Sequence, residues 1–334
     1  MLIGIALLYA CALRAQDRQQ FASIGNLALT GGDTLRDCRI GYRTFGRPNA
    51  DTSNAVMYTT WFGGTSQQLG SLIGPGRLVD STKYFVIAID ALGNGVSTSP
   101  SNSAEQPDAQ FPRITIRDMV NSQHALLTRM LGIRHLHAAI GGSMGSMQLF
   151  EWLAAYPGFI SQAVPYVCTP RLSTWDLLYF NTELQMIEAG RKAKMPERDI
   201  YQSINMLTAM VAESPASVDR KKTRAEFPAY LKSFEKEEPA VFTLWNFEAQ
   251  LRAMIGHDIS RGFGGSMEKA AQAVKQAEVF IIVSESDHII YPGPALEFAP
   301  MIGARTLILK GDGGHMAVGQ QMKTCSTAIE NFLH

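Results

Sequence analysis

The residues best suited to covalent chemistry in this 334-residue chain are one serine in a glycine frame and two partners late in the sequence. Gly141-Gly142-Ser143-Met144-Gly145 matches the pattern G-x-S-x-G, between an apolar run and an amphipathic one. A sharp strand-to-helix bend there would hold the serine in a strained conformation, with small residues on either side letting neighbouring backbones close in. It would also expose the hydroxyl at a helix start, where backbone N–H groups stabilise a developing oxyanion. The same stretch lacks the G-x-G-x-x-G of a dinucleotide site and the Lys before Ser or Thr of a phosphate loop. Alone the pentapeptide is a weak signal, since with Gly near 7% of residues about one chain in ten of this length contains it by chance.

Two residues nearer the C-terminus give the pentapeptide its weight. A serine nucleophile on such a bend needs an acid and then a histidine, each after a late strand. Asp287 stands just past the apolar run "EVFIIVSE", and His315 comes after "RTLILKG" in a Gly-rich turn before the last helical stretch. Ser143 would then attack an acyl carbonyl, His315 would take and return its proton, and Asp287 would fix the imidazole tautomer. Alternative roles remain open at this level: Asp287 as a turn or cap residue with Glu285 as the acid, and His315 as a helix cap. His124, His135, His137 and His257 fall in expected helices or a strand, His334 is terminal, and His288 adjoins Asp287. For the oxyanion, one donor is expected from the Met144 N–H. The other is expected from the loop after "NAVMYTTWF", at Phe62 or Trp61, where Gly63 and Gly64 give backbone room. The bland alternative is a turn with packed aromatics.

The elements that must position these residues are legible as alternating runs. "NLALTGGDTLRDCRIGYRTFG" reads as two strands around a Gly-Gly-Asp turn, and 54–62, 84–93 and 135–142 as short buried strands. Ile116, Met119, Val120, His124, Leu127 and Met130 mark an amphipathic helix that ends near Gly132, and "SMQLFEWLAAYP" marks another. "QAVPYVC" reads as a strand despite Pro165. Residues 171–255 hold only long helical stretches, after which helix, strand, helix, strand and a single final helix resume. This order implies a mostly parallel sheet with helices on both faces, interrupted by an all-helical insertion. The expected division is a core of 20–170 and 256–334, a helical lid of 171–255, and a signal peptide at 1–15. The last rests on an apolar run from Leu2 to about Leu13, too short for the roughly 20 residues of a membrane span. No Lys or Arg precedes that run, and Cys11 offers a lipid-anchor alternative. The expected location is secreted or periplasmic, with the cytoplasm as the alternative.

Thirty basic and thirty acidic residues cancel, leaving no electrostatic footprint for nucleic acid or an anionic membrane. The mixed-sign clusters "DRKKTR" and "FEKEEP" read as solvated faces. Four widely spaced cysteines with no CxxC argue against a disulfide framework or a zinc site, and Cys168 reads as core. Neither a metal nor an organic cofactor is expected, because the serine mechanism needs none.

Several stretches closely resemble the homoserine O-acetyltransferase branch of the α/β-hydrolase superfamily. They are "FPRITIRDMVNSQHALLTRMLGIRHLHAAIGGSMGSMQLFEWLAAYP", "NAVMYTTWFGGT", "ALGNGVSTSPSN" and "SDHIIYP". The resemblance runs from roughly residue 27 to the C-terminus and weakens in the helical insertion. It implies an α/β-hydrolase fold, a ping-pong mechanism through an acyl-serine, and a helical lid over the active site, often used for dimerisation. Its triad falls on Ser143, Asp287 and His315. This chain departs from the branch in three places. Thr60-Trp61-Phe62-Gly63-Gly64 stands where the branch usually has His-Ala-Leu-Thr-Gly. Gln185 stands where it has a carboxylate-binding arginine, with Arg191 and Lys192 further along the same stretch. Ser146 replaces a glycine. Homoserine is therefore not the expected acceptor, and Gln185 is the substrate-binding candidate. The leading expectation is hydrolysis of a small-molecule acyl ester. Acetyl transfer from acetyl-CoA to another alcohol is second, and a catalytically silent binding protein third.

Overall fold

The computed structural model describes residues 17–235 and 241–334, so the signal-peptide reading of residues 1–15 lies outside the described residues. Eight strands form one sheet: β1 (Gln20–Ala28), β2 (Thr34–Phe45), β3 (Ala55–Thr59), β4 (Phe85–Ile89), β5 (Leu136–Gly142), β6 (Ile160–Tyr166), β7 (Glu278–Ser284) and β8 (Arg305–Leu309). Their order is β1-β2-β4-β3-β5-β6-β7-β8. β1 and β2 pair antiparallel with each other, and β2 pairs antiparallel with β4. All pairings from β4 through β8 are parallel.

The central strands are buried on both faces, as parallel strands between helices must be. Every residue of β3 is buried, and its side chains alternate between two clusters. Met57 joins one with Ile87, Ile89 and Ala139. Val56 and Tyr58 join the other with Val86, Ala88 and Ile140. The first cluster is closed by α1 (Ile116–Ala125), α2 (Met144–Ala155), α8 (Met267–Val274) and α9 (Gly293–Ile302), through Met119, Trp152, Ala271 and Phe298. The second is closed by α10 (Met322–Leu333), through Ile329 and Phe332.

Pro165 sits inside β6 between two neighbours. The register aligns it with Gly141 of β5, while the β6–β7 register pairs Gln162, Ala163 and Tyr166 and skips residues 164 and 165. The missing N–H thus falls where the ladder already lapses, which is how a central strand tolerates proline.

Between β6 and β7 the chain forms α3 (Thr174–Lys192), α4 (Glu197–Ala212), α5 (Pro215–Lys221), α6 (Phe227–Lys232) and α7 (Leu244–Ile255). α5 was not expected, and "RAEFPAYLKSFEKE" gives only a tight turn and the short α6, because Pro228 can sit only in a first turn. The apolar stripe of these helices, including Phe180, Ile187, Ile204 and Phe247, merges into the first cluster. The expected single final helix is also divided. A tight turn at Gly314–Met316 and a short helical turn at Ala317–Gln320 precede α10, because the backbone leaves helical geometry at Gln321 (φ −110°, ψ +35°).

Candidate active site

Ser143 occupies the bend between β5 and α2 at φ +54° and ψ −126°, a conformation that costs a non-glycine residue on the order of 1–3 kcal/mol. Its surroundings over-determine the bend. The Ser143 N–H donates to the Tyr166 carbonyl at 3.1 Å, and its carbonyl accepts the Ser146 N–H at 2.8 Å and the Ser146 hydroxyl at 2.6 Å. The glycine frame is steric. A Cβ on Gly142 would lie 2.0 Å from the Tyr166 ring, one on Gly141 2.5 Å from the Gly145 carbonyl, and one on Gly145 2.7 Å from the Thr59 carbonyl. Ser146, which departs from the glycine of the resembled branch, therefore contributes a second bond to the strained residue.

Asp287 follows β7 and is 2% exposed. Its Oδ1 accepts the N–H groups of Ile289 and Ile290 at 2.9 and 3.0 Å, and Oδ2 lies 2.8 Å from His315 Nδ1. An ionised carboxylate can only accept, so Nδ1 carries the proton and Nε2 is left as the basic nitrogen. His315 follows β8 and lines the same cavity as Ser143. Gly314 precedes it at positive φ, its N–H bonded to Ser286 Oγ at 3.1 Å. The other acid weighed from the sequence, Glu285, pairs instead with Lys310 at 2.7 Å and accepts the Gly311 N–H.

Strands β3, β5, β7 and β8 thus deliver the Trp61–Phe62 loop, Ser143, Asp287 and His315 from their carboxyl ends, where parallel sheets form their ligand crevice. The loop is held from three sides. Gln148 of α2 donates to the Thr60 carbonyl at 2.9 Å, Gln250 of α7 accepts the Gly63 N–H at 2.8 Å, and Asn94 donates to the Gly64 carbonyl at 2.9 Å. The Gly64 N–H is also used, by the Trp61 carbonyl at 2.9 Å. Among the described residues no acceptor takes the N–H of Trp61 or of Phe62. Both residues line the cavity. The Phe62 ring stacks edge-on against Phe247 and Phe242 at 4.6 and 5.5 Å. The Met144 side chain is fully buried, and its N–H, the first of α2, has no carbonyl one turn back within the helix.

The cavity measures about 1280 Å³. Its walls include Phe180, Phe247, Met254 and Ile289, from helices α3 and α7 and the acid loop, and Phe242 just before α7. Gln185, the substrate-binding candidate of the sequence, is not among them. It lies on the exposed side of α3 and donates to Glu188 at 3.2 Å, because the helix turns the cavity-facing stripe to Tyr179, Phe180 and Glu183. Arg191 also turns away, paired with Glu248 and stacked 3.6 Å from the Trp245 ring.

Two features escaped sequence reading. Tyr179, Glu183 and Thr208 form a hydrogen-bonded cluster in the cavity wall, foreshadowed only by the four-residue spacing of Tyr179 and Glu183. In addition, Asp176 and Trp175 of α3 reach the acid loop, at the Tyr291 N–H (2.8 Å) and the His288 carbonyl (2.7 Å).

The described cysteines, Cys38, Cys168 and Cys325, are buried and unpaired. Burial pushes the Cys38 thiol up to about 12 and the Cys325 thiol to about 11, and raises Cys168 further, so all three behave as core. Among the described residues no group of three or more His, Cys, Asp or Glu could hold a metal ion, and no helix is long and apolar enough to cross a membrane.

A family model described as the alpha/beta hydrolase fold matches residues 73–320. An ethyl acetate hydrolase from Pseudomonas veronii is 29% identical, over 90% of this chain and 89% of that protein. A homoserine O-acetyltransferase from Zymomonas mobilis is 31% identical, over 80% of this chain and 82% of its own length. The crystal structure of an acetylester hydrolase from Corynebacterium glutamicum superposes with a TM-score of 0.85 at 26% identity, covering 96% of this chain and 97% of that one.

Proposed function

Because the chain belongs to the α/β-hydrolase fold family, in the branch that holds homoserine O-acetyltransferases and esterases, we propose that it is a serine-dependent acyl-ester hydrolase. In this reading Ser143 Oγ adds to the ester carbonyl while His315 Nε2 takes its proton, and Asp287 holds the imidazole through Nδ1. The N–H groups of Met144 and of Phe62 or Trp61 receive the oxyanion. Collapse breaks the bond to the alkoxy oxygen, His315 returns the proton to that oxygen, and the alcohol leaves acyl-Ser143 behind. Water, deprotonated by His315, then adds to the acyl carbon, and its collapse frees the acid and restores the serine.

The observation that carries the reading is the 2.8 Å contact between His315 Nδ1 and Asp287, in a cavity that also presents the strained Ser143. Intact-protein mass spectrometry after brief exposure to p-nitrophenyl acetate tests it. An acetyl adduct absent from Ser143→Ala supports the reading, and an adduct that survives the substitution overturns it.

Transfer of an acetyl group from acetyl-CoA is the second reading, favoured by the 31% identity to a homoserine O-acetyltransferase. An adduct from acetyl-CoA in the same experiment would put transfer first. In either reading the helices α3 to α7 act as a lid. The exposed apolar residues Leu178, Met210 and Phe227 on them are offered as a homodimer surface, testable by light scattering. Residues 1–15 are offered as a leader for export, testable by N-terminal sequencing of the protein from a secreted or periplasmic fraction.

A further inference from the structure

One wall of the cavity carries chemistry that acyl transfer to a serine does not require. Glu183, on α3, is 3% exposed and lines the cavity with Tyr179, Asn205 and Thr208. The Tyr179 hydroxyl donates to Glu183 Oε1 at 2.6 Å, and Thr208 Oγ1 lies 3.0 Å from the same oxygen. Among the described residues Oε2 has no donor, and no Lys or Arg is within ion-pair reach of the carboxylate. Asn205, three positions before Thr208 in α4 and in the same cavity wall, makes no side-chain hydrogen bond among the described residues.

A tie between α3 and α4 would need only Oε1. The oxygen without a partner opens to the cavity rather than being sealed in the wall, so in a lining this apolar it is placed to accept from a ligand's donor. We propose that Glu183 Oε2, with the Asn205 amide in the same wall, is a specificity subsite for esters that carry a hydroxyl group remote from the scissile carbonyl. The inference rests on the acyl-ester hydrolase reading for its ligand class. Burial lifts the Glu183 carboxyl to about 7, so near neutrality it can present an acceptor or a donor to such a hydroxyl.

The test measures binding apart from turnover, in Ser143→Ala protein that cannot be acylated. Isothermal titration compares two near-isosteric pairs: 4-hydroxybutyl acetate with pentyl acetate, and ethyl 6-hydroxyhexanoate with ethyl heptanoate. The first pair places the hydroxyl on the alcohol side and the second on the acyl side. In at least one pair the hydroxylated ester is expected to bind about tenfold or more tightly, as one hydrogen bond to a charged group allows. Glu183→Leu in the same background is expected to erase or invert that preference. Glu183→Gln, which keeps the Oε1 contacts and replaces Oε2 by an amide, is expected to reduce it at least threefold, so the test survives if the leucine variant does not fold. Equal affinities within both pairs, or a preference unchanged in the glutamine variant, would overturn the subsite. Turnover by the wild-type chain is scored separately. Hydrolysis of both members without preference sinks the subsite alone, whereas hydroxyl-dependent binding with no turnover sinks the hydrolase reading and leaves the subsite standing.

Discussion

Asp176 Oδ1 accepts the backbone N–H of Tyr291 at 2.8 Å, so a single carboxylate joins the first turn of α3 to the loop that presents Asp287. Its other oxygen accepts the Ser173 N–H at 2.8 Å and completes the capping box that starts α3. The indole of the adjacent Trp175 adds a second tie, to the His288 carbonyl. The helical segment and the acid loop are therefore one mechanical unit. A helical segment whose first helix grips the loop of the proposed catalytic acid cannot shift at its base without moving that loop.

Removing this carboxylate tests the coupling. Asp176→Ala strips the N-cap partner and orphans the Tyr291 N–H, a loss of about 2 kcal/mol in stability. Displacement of the acid loop should also lower kcat roughly tenfold, since small misplacements of catalytic groups are expensive. Urea melts and steady-state hydrolysis of p-nitrophenyl acetate measure both. A stability loss with kcat unchanged would mean that the tie serves the helix alone.

The glycine frame makes a sharper demand. Gly142→Ala would drive a methyl into the Tyr166 ring, whose hydroxyl is anchored to the buried Tyr58 hydroxyl at 2.9 Å. Overpacking of this kind costs about 3 kcal/mol. The variant is expected to unfold at lower urea and to lose activity, and Tyr166→Leu in the same chain is expected to restore part of the stability. Wild-type stability in Gly142→Ala would show that the bend has slack.

What could be read from the sequence divides along a physical line. Strands β2 to β8 and the bends that carry Ser143, Asp287 and His315 were legible because strand burial and strand-to-helix bends write local patterns, whereas β1 begins at Gln20, six residues before the expected strand. Pro165 looked like a fault in β6 only because the lapse in the β6–β7 ladder depends on a neighbour more than a hundred residues away. The division of the last helix falls at Gln321, a position that no glycine or proline announces. Gln185 was singled out by spacing along a resembled helix, whereas the residue that faces the cavity is decided by how α3 rolls against α4. Such a roll is a tertiary outcome, and Glu183 two positions away carried no local signal beyond its four-residue spacing from Tyr179.

Asp287→Asn separates orientation from charge. The amide can still accept from the Ile289 and Ile290 N–H groups, so the fold and loop should persist. Its nitrogen presented to His315 would favour the tautomer protonated at Nε2, removing the base, and kcat is expected to fall on the order of 10⁴-fold. Activity within tenfold of wild type would exclude Asp287 as the partner that matters. Glu285→Gln is the matched control and is expected to leave the rate intact, because Glu285 engages Lys310 at the surface.

The buried Glu183 carboxyl gives a pH signature with a definite sign. Burial raises it from an ordinary value near 4.5 to about 7, against smaller lowering effects from the Tyr179 and Thr208 hydroxyls. Between those limits the folded chain holds a proton that the unfolded chain has released, so the stabilising contribution is complete below about pH 4.5. It is lost as pH rises toward 7. Each pKa unit is worth about 1.4 kcal/mol, which puts the full loss at about 3 kcal/mol. Glu183→Gln keeps an acceptor for Tyr179 and cannot ionise, so it should gain stability relative to wild type between pH 5 and pH 8 and be level or weaker at pH 4.5. Paired urea titrations at those three values read the difference directly. Parallel stability profiles for the two proteins would mean that Glu183 ionises as a solvated carboxylate does, and that the cavity wall is wetter than its apolar lining implies.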